Sequence, residues 1–137
     1  MICAVIDTNV LVSALLSENP ESATVQVLRK ILKGEIVPLF SRDIMSEYSS
    51  VLNRSKFGFD PETVDILLTA ISEKGIEIAP EPTGATLPDM FDLPFYEVAV
   101  EKRDEGAYLV TGNLKHFPKE PFIVTARQLL EIMGGEL

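Results

Sequence analysis

A short apolar run, Ile2-Cys3-Ala4-Val5-Ile6, is stopped by Asp7, and a second apolar segment, Val10-Leu11-Val12, begins almost at once. An unbroken run of this length fits a strand buried on both faces, and the restart after Asp7 fits a helix that leaves the strand's carboxyl end. In open α/β sheets, ligands bind in the crevice outside those strand ends. A carboxylate delivered there by the first strand is well sited for metal or phosphate chemistry.

The rest of the chain repeats the alternation. The pattern predicts a helix over 8–16 with Thr8 as its cap, a longer helix over 20–33, a strand at 36–39 and a helix over about 42–54 capped by Ser41. Asp60-Pro61 reads as cap plus first-turn proline of a helix that runs to Lys74 and closes at Gly75. A short strand at 76–78, a Pro- and Gly-rich loop over 80–92 and a helix over 93–104 follow. Strands at 107–110 and 122–124 come next, then a helix capped by Thr125 and stopped by Gly134-Gly135. Strands alternating with helices imply a mostly parallel sheet covered on both faces.

The 137 residues suit a single domain, 1–137, with a sizeable core. No apolar run approaches the roughly 18 residues of a membrane span, and the N-terminus lacks a signal-peptide pattern, so the expectation is a cytoplasmic protein without membrane attachment. Cys3 is the sole cysteine and reads as a small core hydrophobe. The net charge is −9. A nucleic-acid binder usually carries the opposite sign, so an RNA substrate would require bound cations or a local basic strip to offset the acids.

Several acids stand where they are costly. On the 42–54 helix, Ile44, Tyr48 and Val51 share one face, and Glu47 falls on the same stripe, where a carboxylate is expensive unless paired or bound to a metal. Asp92 precedes Leu93-Pro94 and reads either as an N-cap or as a functional acid, with Asp89 a nearby competitor. Glu97 follows on the next helix, away from the Phe95/Val98/Ala99 stripe but within reach of a site at the helix start. Thr111-Gly112-Asn113 ends the strand at Val110 and opens on the same edge as Asp7, offering neutral oxygen ligands. His116 is the single histidine. Carboxylates gathered from such distant segments repel one another and call for a hard divalent cation, Mg²⁺ or Mn²⁺, which takes oxygen ligands.

Four blocks carry a resemblance: Ile6-Asp7-Thr8-Asn9-Val10-Leu11-Val12-Ser13-Ala14, Ser41-Arg42-Asp43-Ile44-Met45-Ser46-Glu47-Tyr48, Leu87-Pro88-Asp89-Met90-Phe91-Asp92-Leu93-Pro94-Phe95, and Tyr108-Leu109-Val110-Thr111-Gly112-Asn113-Leu114-Lys115-His116-Phe117. In this order they resemble PIN-domain proteins, in the toxin branch of bacterial toxin–antitoxin pairs. The resemblance implies a three-layer α/β/α fold with a parallel sheet, a Mg²⁺- or Mn²⁺-dependent single-strand endoribonuclease, a cognate antitoxin partner and often a homodimer. It makes Asp7 the first metal-binding acid, Glu47 the second and Asp92 the third. Asn113 stands at the fourth catalytic position, where many members have aspartate; Glu97 is a candidate replacement for the missing charge. Asn9 and Thr111 match supporting positions. Arg42, Arg54, Lys56, Lys115 and His116 are candidate RNA contacts.

Two rivals remain. The neutral Asn113 and the acidic surface suit a catalytically weak PIN-fold module that acts through its antitoxin. A haloacid-dehalogenase-type phosphatase also begins with an aspartate after its first strand, but needs a second aspartate two residues on, where this chain has Asn9.

Overall fold

The computed structural model describes residues 1–134. The elements are β1 (Ile2–Ile6), α1 (Thr8–Leu16), α2 (Ala23–Leu32), β2 (Ile36–Phe40), α3 (Arg42–Leu52), α4 (Pro61–Lys74), β3 (Ile76–Glu77), α5 (Leu93–Lys102), β4 (Tyr108–Val110), β5 (Ile123–Val124) and α6 (Ala126–Gly134). Short 3-10 turns lie at Met90–Asp92, Arg103–Glu105 and Leu114–His116. The sheet has the order β3-β2-β1-β4-β5, and every neighbouring pair is parallel.

Consecutive side chains of β1 point to opposite faces, yet Ala4, Val5 and Ile6 are all essentially without exposure. Both faces are therefore covered, which is why the strand reads as an unbroken apolar run. The chain steps from β1 to β2 to β3 in one direction and then returns across β1 to β4. The right-handed crossover preference puts the helices of these two legs on opposite faces. Accordingly, α2 packs on β2, α4 and α6, whereas α5 packs on β1, β2 and β4. This is a three-layer α/β/α fold with an all-parallel sheet. Its direction of winding reverses between β1 and β4, so a crevice opens there at the carboxyl edge.

Several local predictions match. Ser41 Oγ accepts from the Ile44 N–H, and Asp60 Oδ1 accepts from the Glu62 N–H at the start of α4. At α6 the Thr125 hydroxyl accepts from the Gln128 N–H while the Gln128 side chain accepts from the Thr125 N–H, a reciprocal capping box. Other boundaries move. The expected 20–33 helix starts only at Ala23, after Ser22, and the 93–104 helix gives way at Arg103 to a 3-10 turn. Thr8 is not the cap of α1; Asp7 holds that position and Thr8 is the first helical residue. Cys3 is only partly buried, although it packs against the core. Of the expected Gly134-Gly135 stop, Gly135 lies outside the described residues.

Pro38 lies inside β2, a central strand, where a missing N–H would ordinarily cost a ladder bond. Its carbonyl faces Gly75, so its nitrogen faces that side too, and β3 pairs only from Leu39↔Ile76 onward. No partner is lost. Gly75 is demanded by the same approach: a Cβ there would fall 2.3 Å from the Pro38 carbonyl oxygen and 2.7 Å from that of Ile71. Gly75→Ala is therefore expected to destabilise the fold by about 1–3 kcal/mol, as forced overpacking does, measured by urea denaturation; an unchanged midpoint would contradict the steric argument.

Candidate metal centre

Four chain segments converge on the carboxyl edge. The Asp7 N–H donates to the Val110 carbonyl at 2.9 Å, which locks the end of β1 to the end of β4. One residue further along β4, the buried Thr111 hydroxyl donates to Asp7 Oδ2 at 2.7 Å. On α3, Tyr48 is buried and its hydroxyl donates to the Ile6 carbonyl, beside Asp7. Burial pushes the Tyr48 pKa up, so the phenol stays a donor. That anchor sets the height of α3 against β1 and brings the neighbouring Glu47 to the crevice. The Thr8 hydroxyl then donates to Glu47 Oε2 at 2.8 Å. The residue expected to cap its own helix instead ties α1 to α3.

The fourth segment is the turn that enters α5. Asp92 occupies the N-cap position of α5 but makes no capping bond; its Oδ2 lies 3.0 Å from His116 Nδ1. His116 Nε2 is in turn 2.9 Å from Asn113 Nδ2, and the Asn113 N–H donates to Thr111 Oγ1 at 3.0 Å. A chain of contacts thus runs from Asp92 through His116, Asn113 and Thr111 to Asp7. Asp89 caps the 3-10 turn by accepting from the Phe91 N–H at 3.0 Å. The cleft encloses about 420 Å³, and Asp7, Glu47, Asp89, Asp92, Asn113 and His116 all line it.

The electrostatics follow from this crowding. Asp7 is held above its usual carboxylate value chiefly by burial, with Asp92 adding repulsion; Thr111 and the N–H groups of Asn9 and Thr8 pull the other way. Glu47 is raised by burial and by Asp7 and Asp89, against Thr8 and Arg54. Asp92 is raised by burial and by Asp89 and Glu47, against His116. The cleft holds four carboxylates against the basic groups of Arg54 and His116. Among the described residues, Asp89, Asp92 and His116 each offer one ligand atom within 4.8 Å of the other two. An oxygen-rich donor set with an excess of negative charge fits a hard divalent cation.

Asn9 also lines the cleft, and its side-chain oxygen accepts from the Gly112 N–H at 3.3 Å, joining the two strand-end loops. Arg54 faces the cleft from α3's carboxyl end, and Lys56 lies just beyond it, its ammonium 5.1 Å from the Phe57 ring centre. Three expected residues are elsewhere. Glu97 does not supply the missing charge: its carboxylate accepts from the Thr83 N–H and hydroxyl at 2.6 and 3.0 Å, binding the 80–92 loop to α5. Arg42 borders different grooves, beside Ser46 and Glu77, because it starts α3 on the side away from Glu47. Lys115 borders a groove between the 114–121 segment and α6. Sequence reasoning missed the pairing of His116 with Asp92 and Asn113 and passed over Phe57 and Phe91, both on the cleft wall. A signal for Phe91 was available, since it stands next to Asp92 in a segment otherwise read as loop.

A PIN-domain family model matches residues 3–115. The chain belongs to the PIN-domain family. Neither a curated protein nor a solved structure matches it. PIN domains are generally metal-dependent nucleases, so membership supports hydrolysis of nucleic acid with the help of a divalent metal. Among the described residues of this PIN domain, no helix is long and apolar enough to cross a membrane.

The raised acids have a consequence for stability. Folding raises the affinity of Asp7, Glu47 and Asp92 for protons. The stability this contributes is complete below the ordinary carboxylate range and is lost as pH rises through the raised values. In the cation-free protein, Tm should fall as pH rises above the ordinary carboxylate range, about pH 4, and Mn²⁺ should restore more of it at the higher pH. Asp7→Asn should flatten both responses; thermal melts that show the same pH slope in wild type and Asp7→Asn would refute the account.

Proposed function

We propose that this PIN domain is a Mg²⁺- or Mn²⁺-dependent, single-strand-specific endoribonuclease, the toxin of a toxin–antitoxin pair. The observation that supports the reading most is the convergence of Asp7, Glu47 and Asp92 from three distant segments in one acidic cleft at the switch point of the sheet. The likeness of all four sequence blocks to the toxin branch supports RNA as substrate, a cognate antitoxin, frequent homodimerisation and a cytoplasmic setting for a single functional unit spanning 1–137.

Asp7, Glu47 and Asp92 would hold the cation, with Asn113 and Thr111 completing the surroundings. When bound, a divalent cation neutralises charge on a phosphodiester and lowers the pKa of a coordinated water. The chain's own groups prepare for this. Thr111 and Thr8 each fix one oxygen of Asp7 and Glu47, so both carboxylates are oriented before substrate arrives. His116 orients Asp92 and Asn113 together. Arg54 lines the cleft and its charge acts on Glu47, and it would receive a phosphate there.

A second reading, a catalytically weak module acting through an antitoxin, draws on Asn113. Its amide nitrogen is directed to His116, and it brings no charge to the fourth position. In that case an antitoxin segment bearing arginine would fill the acidic cleft.

The deciding test is Mn²⁺ binding together with cleavage of a mixed-sequence single-stranded RNA. Wild type is expected to do both, and Asp7→Asn or Glu47→Gln to lose more than ~100-fold in cleavage, as forfeiting several kcal/mol of metal-derived stabilisation requires. Cleavage retained by Asp7→Asn would overturn the assignment. Mn²⁺ binding without cleavage, with activity gained in Asn113→Asp, would favour the second reading.

A further inference from the structure

Two aromatic rings, Phe57 and Phe91, line the cleft among its acids. Phe91 lines the cleft yet is 79% exposed, an unusual position for a large apolar side chain placed beside carboxylates. It sits in the Met90–Asp92 turn, immediately before the acid that contacts His116. Phe57 lines the same cleft from the segment following α3. Its ring stacks on Phe59 with centroids 5.4 Å apart and planes inclined by 10°. Gly58, between them, has a φ of 65°, the left-handed turn that folds the two rings together and that a side chain would strain. Lys56 stands over the Phe57 ring, and Arg54 enters the cleft one residue pair earlier.

Neither ring is explained by the core. Phe57 is braced by Phe59, which fixes its plane, whereas Phe91 presents most of its surface to solvent. Flat apolar faces alternating with cations beside a phosphate-directed acidic site match the needs of an unpaired strand: each base offers a π-face, and the phosphates between bases meet Arg54 and Lys56. A paired duplex hides its base faces and gains nothing from such a wall. We propose that Phe91 is a stacking platform for an unpaired base flanking the phosphate held in the acidic cleft, and that it sets the preference for single strands, while Phe57, already covered by Phe59 and Lys56, forms the firm wall beside it. The proposal rests on the nuclease reading for the phosphate's position, while the stacking itself is independent of cleavage.

The test is binding of a fluorescent single-stranded RNA of mixed sequence and of its abasic counterpart, which keeps the phosphates and removes the bases. Both are measured in the Asp7→Asn background so that the strand stays intact. The base-containing strand should bind more tightly than the abasic one. Adding Phe91→Ala should weaken it by roughly five- to a hundredfold, the range for loss of one base–aromatic stack, and leave the abasic strand unaffected. Phe91→Trp should retain the affinity. Unchanged melting temperatures are expected for the Phe91 variants because the side chain is exposed. Equal binding of the two strands, or equal loss on both in Phe91→Ala, would overturn the proposal. So would a Phe91→Ala defect confined to capture of a polypeptide antitoxin. Base-dependent binding by a protein that never cleaves RNA would remove the nuclease reading and leave the stacking intact; Asp7-dependent cleavage indifferent to Phe91 would do the reverse.

Discussion

A carboxylate held almost wholly out of water at the end of the first strand is the constraint around which the structure is organised. Asp7 is 5% exposed. Burying such a group is costly unless its surroundings replace the lost hydration. Three sources do so here: the Thr111 hydroxyl, the N–H groups at the start of α1, and the positive end of that helix. The first cannot be supplied locally, since Thr111 lies 104 residues further along the chain. It reaches Asp7 because the chain returns across β1 and lays β4 on its other side. The strand order is thus what makes the site, and the switch point is where one carboxylate can be stabilised both by the returning strand β4 and by the helix α1 that follows Asp7.

Parts of this arrangement that depend on near neighbours were legible in the sequence. The β1–Asp7 boundary and the Ser41, Asp60 and Thr125 caps are each decided within a few residues, whereas Gly75, foreseen as a helix stop, is required by the distant Pro38 carbonyl. The Ile44–Tyr48–Val51 stripe put Glu47 on the core-facing side, and the structure leaves it half-buried, at the edge between core and cleft. What escaped was decided by partners far away in sequence. Thr8 looked like a cap because its hydroxyl had no visible competitor, but α3 brings Glu47 to it from 39 residues further on. Glu97 looked free to join the cleft, yet five residues of helix turn it well away from Asp92, toward the Thr83 loop that needed an acceptor. The charged side chains fared worst: Arg42, Lys115 and Arg54 are indistinguishable by type, and only the packing of α3 and the 114–121 segment separates the one that lines the cleft from those that do not.

The same distinction applies to the acids. Both Asp89 and Asp92 reach the cleft, and they divide the work by geometry. Asp89 caps the 3-10 turn with one oxygen, so it fixes the backbone that carries Asp92. Asp92, freed from capping, engages His116 and imposes its charge on Asp7. A choice between the two posed from sequence has no single winner, because the turn needs the first in order to aim the second.

With a net charge of −9, the chain repels a polyanion at distances up to the Debye length, roughly 10 Å at moderate salt. Long-range steering cannot deliver a nucleic acid to this cleft. Recognition therefore has to be assembled from short-range terms, and the walls of the cleft divide them. The acids attract a cation that reverses their sign toward phosphate, and Arg54 adds a local positive charge. The proposed stacking on Phe91 would add contact that is blind to charge and open only to bases that are already unpaired. Because none of these terms is strong until the strand is seated, an acidic surface rejects polyanions that cannot satisfy all of them at once. On the proposed reading, selectivity for the strand would come from the cost of approach as much as from the contacts that offset it.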